Sequence, residues 1–197
     1  MRQLILASTS PYRLQLMRQL QLPFIAAAPP FKETIDPAVS PELTVRHLSL
    51  GKAQSLAEKY PNALIVGSDQ VFVDQRGRAV GKPGTEEAAI AQLKQMAGRT
   101  HTFFTGIAIY DSASRTHQTD YSSFSVTLRP LSDEQIVNYV RREKPFECAG
   151  AFKIEGLGIA LMEKMDGDDY NTLIGLPLIK LVTLLKLNGV EVFAGEE

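Results

Sequence analysis

One acidic side chain, Asp69, interrupts the apolar and β-branched run Ile65–Val73. Valine and isoleucine at this density are typical of a strand that is buried on both faces. A carboxylate in such a strand loses much of its hydration free energy unless cations, a metal ion or hydrogen bonds replace the water. The alternative is that Asp69 lies just past the strand end and caps a turn with Ser68 and Gly67. The first interpretation predicts a functional acid, and the second predicts a structural one.

The segment Ser8–Arg13 carries groups that suit the binding of an anion. It follows a predicted strand at Gln3–Ala7 and opens a predicted helix, with Ser10 as the cap and Pro11 at the first helical position. Unpaired backbone N–H groups of such a loop form an anion site, and the guanidinium of Arg13, one turn into the helix, can fork onto phosphate oxygens. An ordinary capped helix is the alternative.

Two lysines and one glutamate extend this set of phosphate- and metal-suited groups. Lys52 lies on a predicted helix that opens at residue 40 and stops before residue 61, where a lysine is usually a solvated surface residue. Lys82 lies in Gly81–Gly84, whose small residues let an ammonium approach a phosphate, although a plain surface loop explains it nearly as well. Glu33 is a candidate acid in the exposed, proline-flanked loop 29–37.

Composition excludes several classes of function. The 197 residues carry a formal net charge of −1, so no global basic field exists to hold nucleic acid. Cys148 is the only cysteine, which excludes internal disulfides and cysteine-rich zinc sites and fits a reducing cytoplasm. The apolar run Leu4–Ala7 is too short for a signal peptide, and no segment is long enough to span a bilayer. The glycine patterns of Walker-type and dinucleotide-binding loops are absent, and the three histidines lack metal-ligand spacing.

The remaining chain carries further helix and strand signals, and the mixed α/β fold expected for it is what the family resemblance described next implies. Helices are predicted from Thr85 to about Met96 and from Ser132 to near Glu143. The segment Asn171–Pro177 introduces a predicted last helix that runs to Asn188-Gly189. Strands are predicted at Pro23–Ala28, at His101–Tyr110 and Tyr121–Leu128 as an antiparallel hairpin, and at Gly158–Lys164.

Five ordered motifs, spread over nearly the whole chain, resemble the Maf family. They are Leu-Ala-Ser-Thr-Ser-Pro-Tyr-Arg at 6–13, Gly-Ser-Asp-Gln at 67–70, Gly-Lys-Pro at 81–83, Thr-Phe-Phe-Thr-Gly at 102–106 and Asn-Thr-Leu-Ile-Gly-Leu-Pro-Leu at 171–178. The resemblance implies a nucleoside triphosphate pyrophosphatase, with a mixed, largely antiparallel sheet flanked by helices and two lobes around a central cleft. It also implies a single domain over residues 1–197, a divalent metal cation (Mg or Mn), a cytoplasmic location and a homodimer.

The same resemblance implies roles for particular residues. Asp69 matches the catalytic acid of the family, and Glu33 and Asp69 are the expected metal ligands. The positions expected to bind phosphate or substrate are Ser8, Ser10, Arg13, Lys52 and Lys82. Whether Asp69 acts as a general base or chiefly as a metal ligand is left open by the sequence.

Tyr12, Gln70 and Glu155 resemble the branch of the family that acts on 7-methyl-GTP. Methylation at N7 places a positive charge on guanine, which favours stacking on an aromatic face such as Tyr12. A carboxylate at position 155 can accept from the N1–H and amino group of guanine, an edge that thymine and uracil lack. The base specificity is therefore expected to rest on these three residues.

The sequence thus predicts hydrolysis of the α–β phosphate bond of a modified nucleotide, with 7-methyl-GMP and pyrophosphate as the products. The expected partner is a small-molecule nucleotide, with no nucleic acid and no membrane. Two alternatives stay open: a dTTP/UTP pyrophosphatase of the same family, and a non-catalytic nucleotide-binding regulator of cell division.

Overall fold

The computed structural model describes residues 2–194. Its strands are β1 (Gln3–Leu6), β2 (Ile25–Ala26), β3 (Ala63–Val73), β4 (Thr100–Asp111), β5 (Thr116–Leu128) and β6 (Met162–Asp166). Its α-helices are α1 (Pro11–Arg18), α2 (Pro41–Gln54), α3 (Glu86–Met96), α4 (Asp133–Glu143), α5 (Asn171–Ile174) and α6 (Leu178–Leu187). Two short 3₁₀-helices lie at Ala149–Ala151 and Leu157–Leu161. Within residues 2–194, no helix combines the length and the apolar character needed to cross a membrane.

The six strands form one sheet in the order β2-β1-β3-β4-β5-β6. Strand β1 pairs in parallel with both of its neighbours, whereas β5 and β6 pair antiparallel. Parallel neighbours need a crossover connection, and the helices α1 and α2 lie in the chain segments that provide it. The predicted mixed α/β class is confirmed, with parallel pairing on the side of the sheet that contains β1.

The chain divides into two compact units. Unit 1 comprises Met1–Gln70, Phe104–Ser122 and Asp169–Glu197, and unit 2 comprises Val71–Phe103 and Ser123–Asp168. The strands β3, β4 and β5 each contribute residues to both units.

The core of unit 1 lies on both faces of its strands. In β1, Leu4 and Leu6 pack into a cluster with helices α1 and α6, while Ile5 packs into a second cluster with α2. Strand β3 alternates in the same way, with Leu64 and Ile65 in different clusters. A strand that packs against apolar groups on both faces has a nearly continuous apolar sequence, and β3 shows this pattern.

Unit 2 is built around two helices and an aromatic cluster. Helices α3 and α4 contact each other, and the ring of Phe72 packs against the rings of Phe103 and Phe152 at centroid distances of 4.3 and 6.2 Å. In this unit β4 and β5 are antiparallel, since hydrogen bonds join Thr100 to Thr127 and Thr102 to Ser125.

Helix starts follow the sequence closely. The predicted caps Ser10, Thr85 and Ser132 each accept a backbone N–H through the side chain, and Ser132 forms a capping box with Gln135. Ser40, at the predicted start of α2, caps that helix in the same way.

Three predicted elements differ from the structure. The strand predicted at Pro23–Ala28 shrinks to two residues, and part of Gly158–Lys164 is a 3₁₀-helix rather than a strand. The segment that introduces the predicted last helix contains a short helix of its own, α5, which ends because Gly175 adopts a positive φ of 118° and Pro177 follows it.

Candidate active site

Asp69 lies within strand β3, and 7% of its surface is exposed. The interpretation of Asp69 as a turn-capping residue beyond the strand is therefore wrong. Its backbone N–H donates to Ser49 Oγ at 3.0 Å. The strand holds this carboxylate in place, so its charge must be balanced by groups brought from elsewhere in unit 1.

Lys52 of helix α2 provides most of that balance. Its Nζ lies 2.6 Å from Asp69 Oδ1 and 2.7 Å from Glu33 Oε1. Only 7% of Lys52 is exposed, so the expectation that it is a solvated helix residue is wrong. The ammonium replaces solvent as the partner of the buried carboxylate, and it also draws Glu33 from its exposed loop into the same cluster.

Close packing of helix α2 makes this contact possible. A Cβ atom at Gly67 would lie 2.0 Å from the carbonyl oxygen of Ser49, and one at Gly106 would lie 2.2 Å from that of Val45. Both glycines thus let the backbone of α2 approach the strands more closely than any side chain would allow. Ser49 Oγ donates to Val45 O at 2.6 Å while it accepts from Asp69, so it joins the helix to the acidic strand residue.

Arg13 adds a second cation beside the carboxylate. One guanidinium nitrogen, Nη2, lies 4.0 Å from Asp69 Oδ1, and Nε donates to the carbonyl oxygen of Gly175 at 2.7 Å. Burial lowers the pKa of Arg13 from its ordinary value, whereas the nearby Asp69 and Glu33 act in the opposite direction. An arginine stays protonated under such conditions, so the side chain is a fixed positive charge.

The loop before α1 is internally ordered. Ser8 is 5% exposed, and its Oγ accepts the backbone N–H of Ser10 at 3.1 Å. Ser10 Oγ in turn accepts the backbone N–H of Arg13 at 3.5 Å, which sets the first turn of the helix that carries Arg13. Tyr12 points more outward, with 38% of its surface exposed.

The amide of Gln70 is held by the protein itself. Its Nε2 donates to Thr105 Oγ1 at 2.9 Å and to the carbonyl oxygens of Thr172 and Leu173 at 2.8 and 3.3 Å. These bonds occupy the donor side of the amide and leave Oε1 as its acceptor. Any contact of Gln70 with a base must therefore use Oε1.

The ten candidate residues do not all fall in one unit. Lys82 and Glu155 belong to unit 2, and both are exposed. Lys82 Nζ lies 3.8 Å from Glu147 Oε2, a loose surface pair. The other eight belong to unit 1, where Arg13, Glu33, Lys52 and Asp69 form one charged cluster.

Sequence reasoning missed the groups that fix this cluster. Ser49 and the carbonyl oxygen of Gly175 each anchor one of its members. Ser68 Oγ also donates to Gly175 O, at 3.0 Å. The spacing of Ser49 one turn before Lys52 was a usable signal, because it places both on one face of a helix.

The donor set around Lys52 fits a hard divalent cation. Glu33 and Asp69 each present an oxygen within 2.7 Å of the same ammonium, so the two carboxylates lie close together. Among residues 2–194, no group of three or more His, Cys, Asp or Glu residues is arranged to hold a metal ion alone. Mg²⁺ characteristically uses one or two carboxylates and completes its shell with water and substrate phosphates, which this pair permits.

The fold and the cluster define an α/β protein with a buried, mixed-charge site suited to anionic ligands. The family model for Maf-like proteins matches residues 3–188, and the chain belongs to the Maf family.

Relatives match over nearly full length. A protein of Syntrophotalea carbinolica named 7-methyl-GTP pyrophosphatase is 57% identical over 196 residues, covering 100% of both chains. Proteins with the same name from Polaromonas sp. and Colwellia psychrerythraea are each 47% identical, covering 98% of this chain and 88% and 96% of theirs. The solved Ham1 protein of Staphylococcus aureus is 14% identical over 80% of this chain and 90% of its own, with a TM-score of 0.46, too weak a likeness to bear on the site.

Proposed function

We propose that this protein is a nucleoside triphosphate pyrophosphatase that hydrolyses 7-methyl-GTP to 7-methyl-GMP and pyrophosphate. The observation that carries the proposal is the charged cluster in unit 1, in which the buried Asp69 and Lys52 lie beside Arg13 and the exposed Glu33. The cations of such a cluster can pair with the negative charge on the phosphate oxygens, and a carboxylate can orient the attacking water. The name shared by the relatives supports the choice of substrate.

In this proposal Asp69 orients the attacking water and takes its proton. The water oxygen forms a bond to the α-phosphorus, the bond from that phosphorus to the bridging oxygen breaks, and pyrophosphate leaves. The nearby cations Lys52 and Arg13 stabilise the charge on the phosphate oxygens, and Lys82 remains a predicted phosphate-binding residue. Ser8 and Ser10 contribute hydroxyl groups that can donate to a phosphate, whereas the backbone N–H groups of Ser10 and Arg13 are already bonded within the loop.

Glu33 and Asp69 would hold a divalent cation, Mg²⁺ or Mn²⁺, together with phosphate oxygens of the substrate. When bound, such an ion supplies Lewis-acid stabilisation of the transferred phosphoryl group. The protein contributes the position of both carboxylates, which Lys52 holds close together before the substrate arrives.

Base selection is assigned to Tyr12, Gln70 and Glu155. An exposed tyrosine ring can stack on a cationic purine, and Oε1 of Gln70 is the amide atom left to accept from the base. The carboxylate of Glu155 would accept from the donor edge of guanine. Uracil and thymine offer a single N–H donor on the corresponding edge, whereas guanine offers its N1–H and its amino group, so a pyrimidine makes fewer hydrogen bonds to these acceptors.

A cytoplasmic location, homodimer assembly and the absence of nucleic-acid partners remain predictions. The single domain over residues 1–197 also remains a prediction, and its ends, residue 1 and residues 195–197, lie outside the described residues.

The test is a pyrophosphate-release assay with Mg²⁺ across 7-methyl-GTP, GTP, UTP and dTTP. The proposal predicts the highest kcat/KM for 7-methyl-GTP, with 7-methyl-GMP as the second product. Preference for UTP or dTTP would identify a pyrimidine-specific pyrophosphatase instead. Nucleotide binding without pyrophosphate release would identify a non-catalytic regulator and overturn the proposal.

A further inference from the structure

Unit 2 contains a pocket of about 460 Å³ that involves none of the proposed active-site residues. Its wall is formed by the turn that follows β3, by the C-terminal part of α3 and by the start of β4. The volume falls in the range of small-molecule sites, roughly 300–1,000 Å³.

Three arginines, Arg76, Arg78 and Arg99, line this pocket, which we name the arginine pocket. Asp74 fixes one of them, since its Oδ2 accepts from Arg78 Nε at 2.8 Å and lies 2.7 Å from Arg78 Nη2. Arg76 and Arg99 form no salt bridge with any residue in the described range 2–194. Two cationic groups are therefore left to meet an anion, and guanidinium groups pair well with phosphate.

The pocket also contains two buried acceptors that lack partners. His101 is 3% exposed, and its Nε2 lies 3.2 Å from the carbonyl oxygen of Met96. Burial lowers the pKa of His101, so the ring is neutral, donates from Nε2 and keeps Nδ1 as an acceptor. Nδ1 is buried and has no hydrogen-bond partner among the described residues.

Gln92 likewise has one bonded nitrogen and one buried acceptor without a partner. Its Nε2 donates to the carbonyl oxygen of Gly81 at 3.0 Å, while its Oε1 is buried and unpaired within the described part of the chain. Buried polar atoms in native proteins are nearly always satisfied, so two unpaired acceptors in one pocket point to a ligand that carries donors.

We propose that the arginine pocket is a second binding site, for a small phosphate ester that also carries hydrogen-bond donors, of the size of a nucleoside monophosphate. Its phosphate group binds Arg76 and Arg99, and its amino or hydroxyl groups donate to His101 and Gln92. The pocket lining contains none of the residues assigned to hydrolysis or base selection, so substitutions in the pocket leave those residues in place.

The test is calorimetric titration of the whole protein with GMP, which lacks the scissile bond. The expected result is a binding event that becomes about a hundredfold weaker in Arg76→Gln/Arg99→Gln, on the basis of about tenfold per charge-assisted contact. Arg129→Gln/Arg142→Gln is the matched control, since it removes two exposed arginines of unit 2 that do not line the pocket. Hydrolysis of 7-methyl-GTP should be the same in both double variants.

A second experiment tests the hydrogen bond that the ligand donates to His101. In His101→Phe, which keeps an aromatic ring beside Phe72, GMP binding should weaken while inorganic phosphate binding stays constant. The imidazole ¹⁵N signals of the wild type that are missing in this variant belong to His101, and they should shift when GMP is added. GMP binding that is equal in both double variants, or His101 signals that do not move, would overturn the proposal.

Discussion

The charged groups of the two units contrast sharply. In unit 1 the side chains of Lys52 and Asp69 are 8% and 10% exposed and lie 2.6 Å apart. In unit 2 the side chains of Lys82 and Glu147 are 63% and 83% exposed and lie 3.8 Å apart. A buried pair loses hydration that only good geometry can offset, whereas a surface pair is free to rearrange and contributes little to stability.

This difference shows where the molecule is organised before a ligand binds. The cluster of unit 1 is anchored by Ser49, by Gly175 and by the close packing of α2, so its charges are oriented in advance. Groups oriented in advance need no reorganisation in the transition state, which is the main source of electrostatic catalysis. Lys82 and Glu155 are instead suited to adjust to a bound substrate.

The largest expected effect on stability comes from Lys52→Met. Removing the ammonium takes away the partner that lies 2.6 Å from the buried Asp69 and leaves Arg13, 4.0 Å away, as the cation beside it. Breaking a buried pair costs about 3 kcal/mol or more. Urea unfolding measures the change, and hydrolysis should be lost as well. Lys59→Met, at an exposed position next to the same helix, is the control and should unfold as the wild type does. Equal unfolding free energies for both variants would show that the unit 1 pair is no more important than a surface pair.

Gly67→Ala tests the close packing of α2. The added methyl group would lie 2.0 Å from the carbonyl oxygen of Ser49, so the helix must move and the unfolding free energy should fall by about 1–3 kcal/mol. Because Lys52 moves with the helix, kcat should fall too. Gly81→Ala is the control, since nothing lies within 4 Å of the Cβ that it adds. A Gly67→Ala protein with wild-type stability and turnover would refute the packing argument.

Arg13→Ala and Lys82→Ala compare a cation that is held by the protein with a cation that is exposed. Both should lower kcat/KM for 7-methyl-GTP, because both groups are assigned to the phosphates. Only Arg13→Ala should also lower the melting temperature, by an amount equivalent to about 1.5 kcal/mol, because it removes the 2.7 Å bond to Gly175 O. Thermal unfolding of the two variants side by side checks this. A stability loss in Lys82→Ala would contradict the contrast between the buried cations of unit 1 and the exposed cation of unit 2.

Glu155→Gln is expected to have the smallest effect of these substitutions, and it should leave stability unaffected because the side chain is exposed. The ratio of kcat/KM for 7-methyl-GTP over UTP should fall about tenfold, equivalent to about 1.4 kcal/mol. Glu147→Gln, an exposed acid of the same unit, is the control. If the two variants have the same ratio, Glu155 does not select the base, whereas the assignment of the unit 1 cluster is unaffected.

Local features of the fold could be predicted from the sequence. Strand β3, the start of α2 and the caps of α1, α3 and α4 depend on neighbouring residues, and all were predicted. The short helix α5 was missed, because the positive φ of Gly175 that ends it is set by its surroundings rather than by the apolar spacing of the segment.

The site was predictable only in part. Residue types suggested a phosphate and metal site, and the Maf resemblance supplied its members. The burial of Lys52 was not predictable, because it depends on two glycines that let α2 approach the strands. The fixed amide of Gln70 also escaped prediction, since its partners Thr172 and Leu173 lie more than 100 residues away.

The most direct test of the account is the rate of pyrophosphate release from 7-methyl-GTP by Asp69→Asn at saturating Mg²⁺. The substitution is nearly isosteric and removes only charge and basicity, so kcat should fall about a hundredfold or more while the protein stays folded. Asp120→Asn is the matched control, because Asp120 of unit 1 also pairs with cations, Arg46 and Lys180, outside the cluster, and it should keep near wild-type turnover. Wild-type turnover in Asp69→Asn would contradict the assignment of the buried cluster as the catalytic centre.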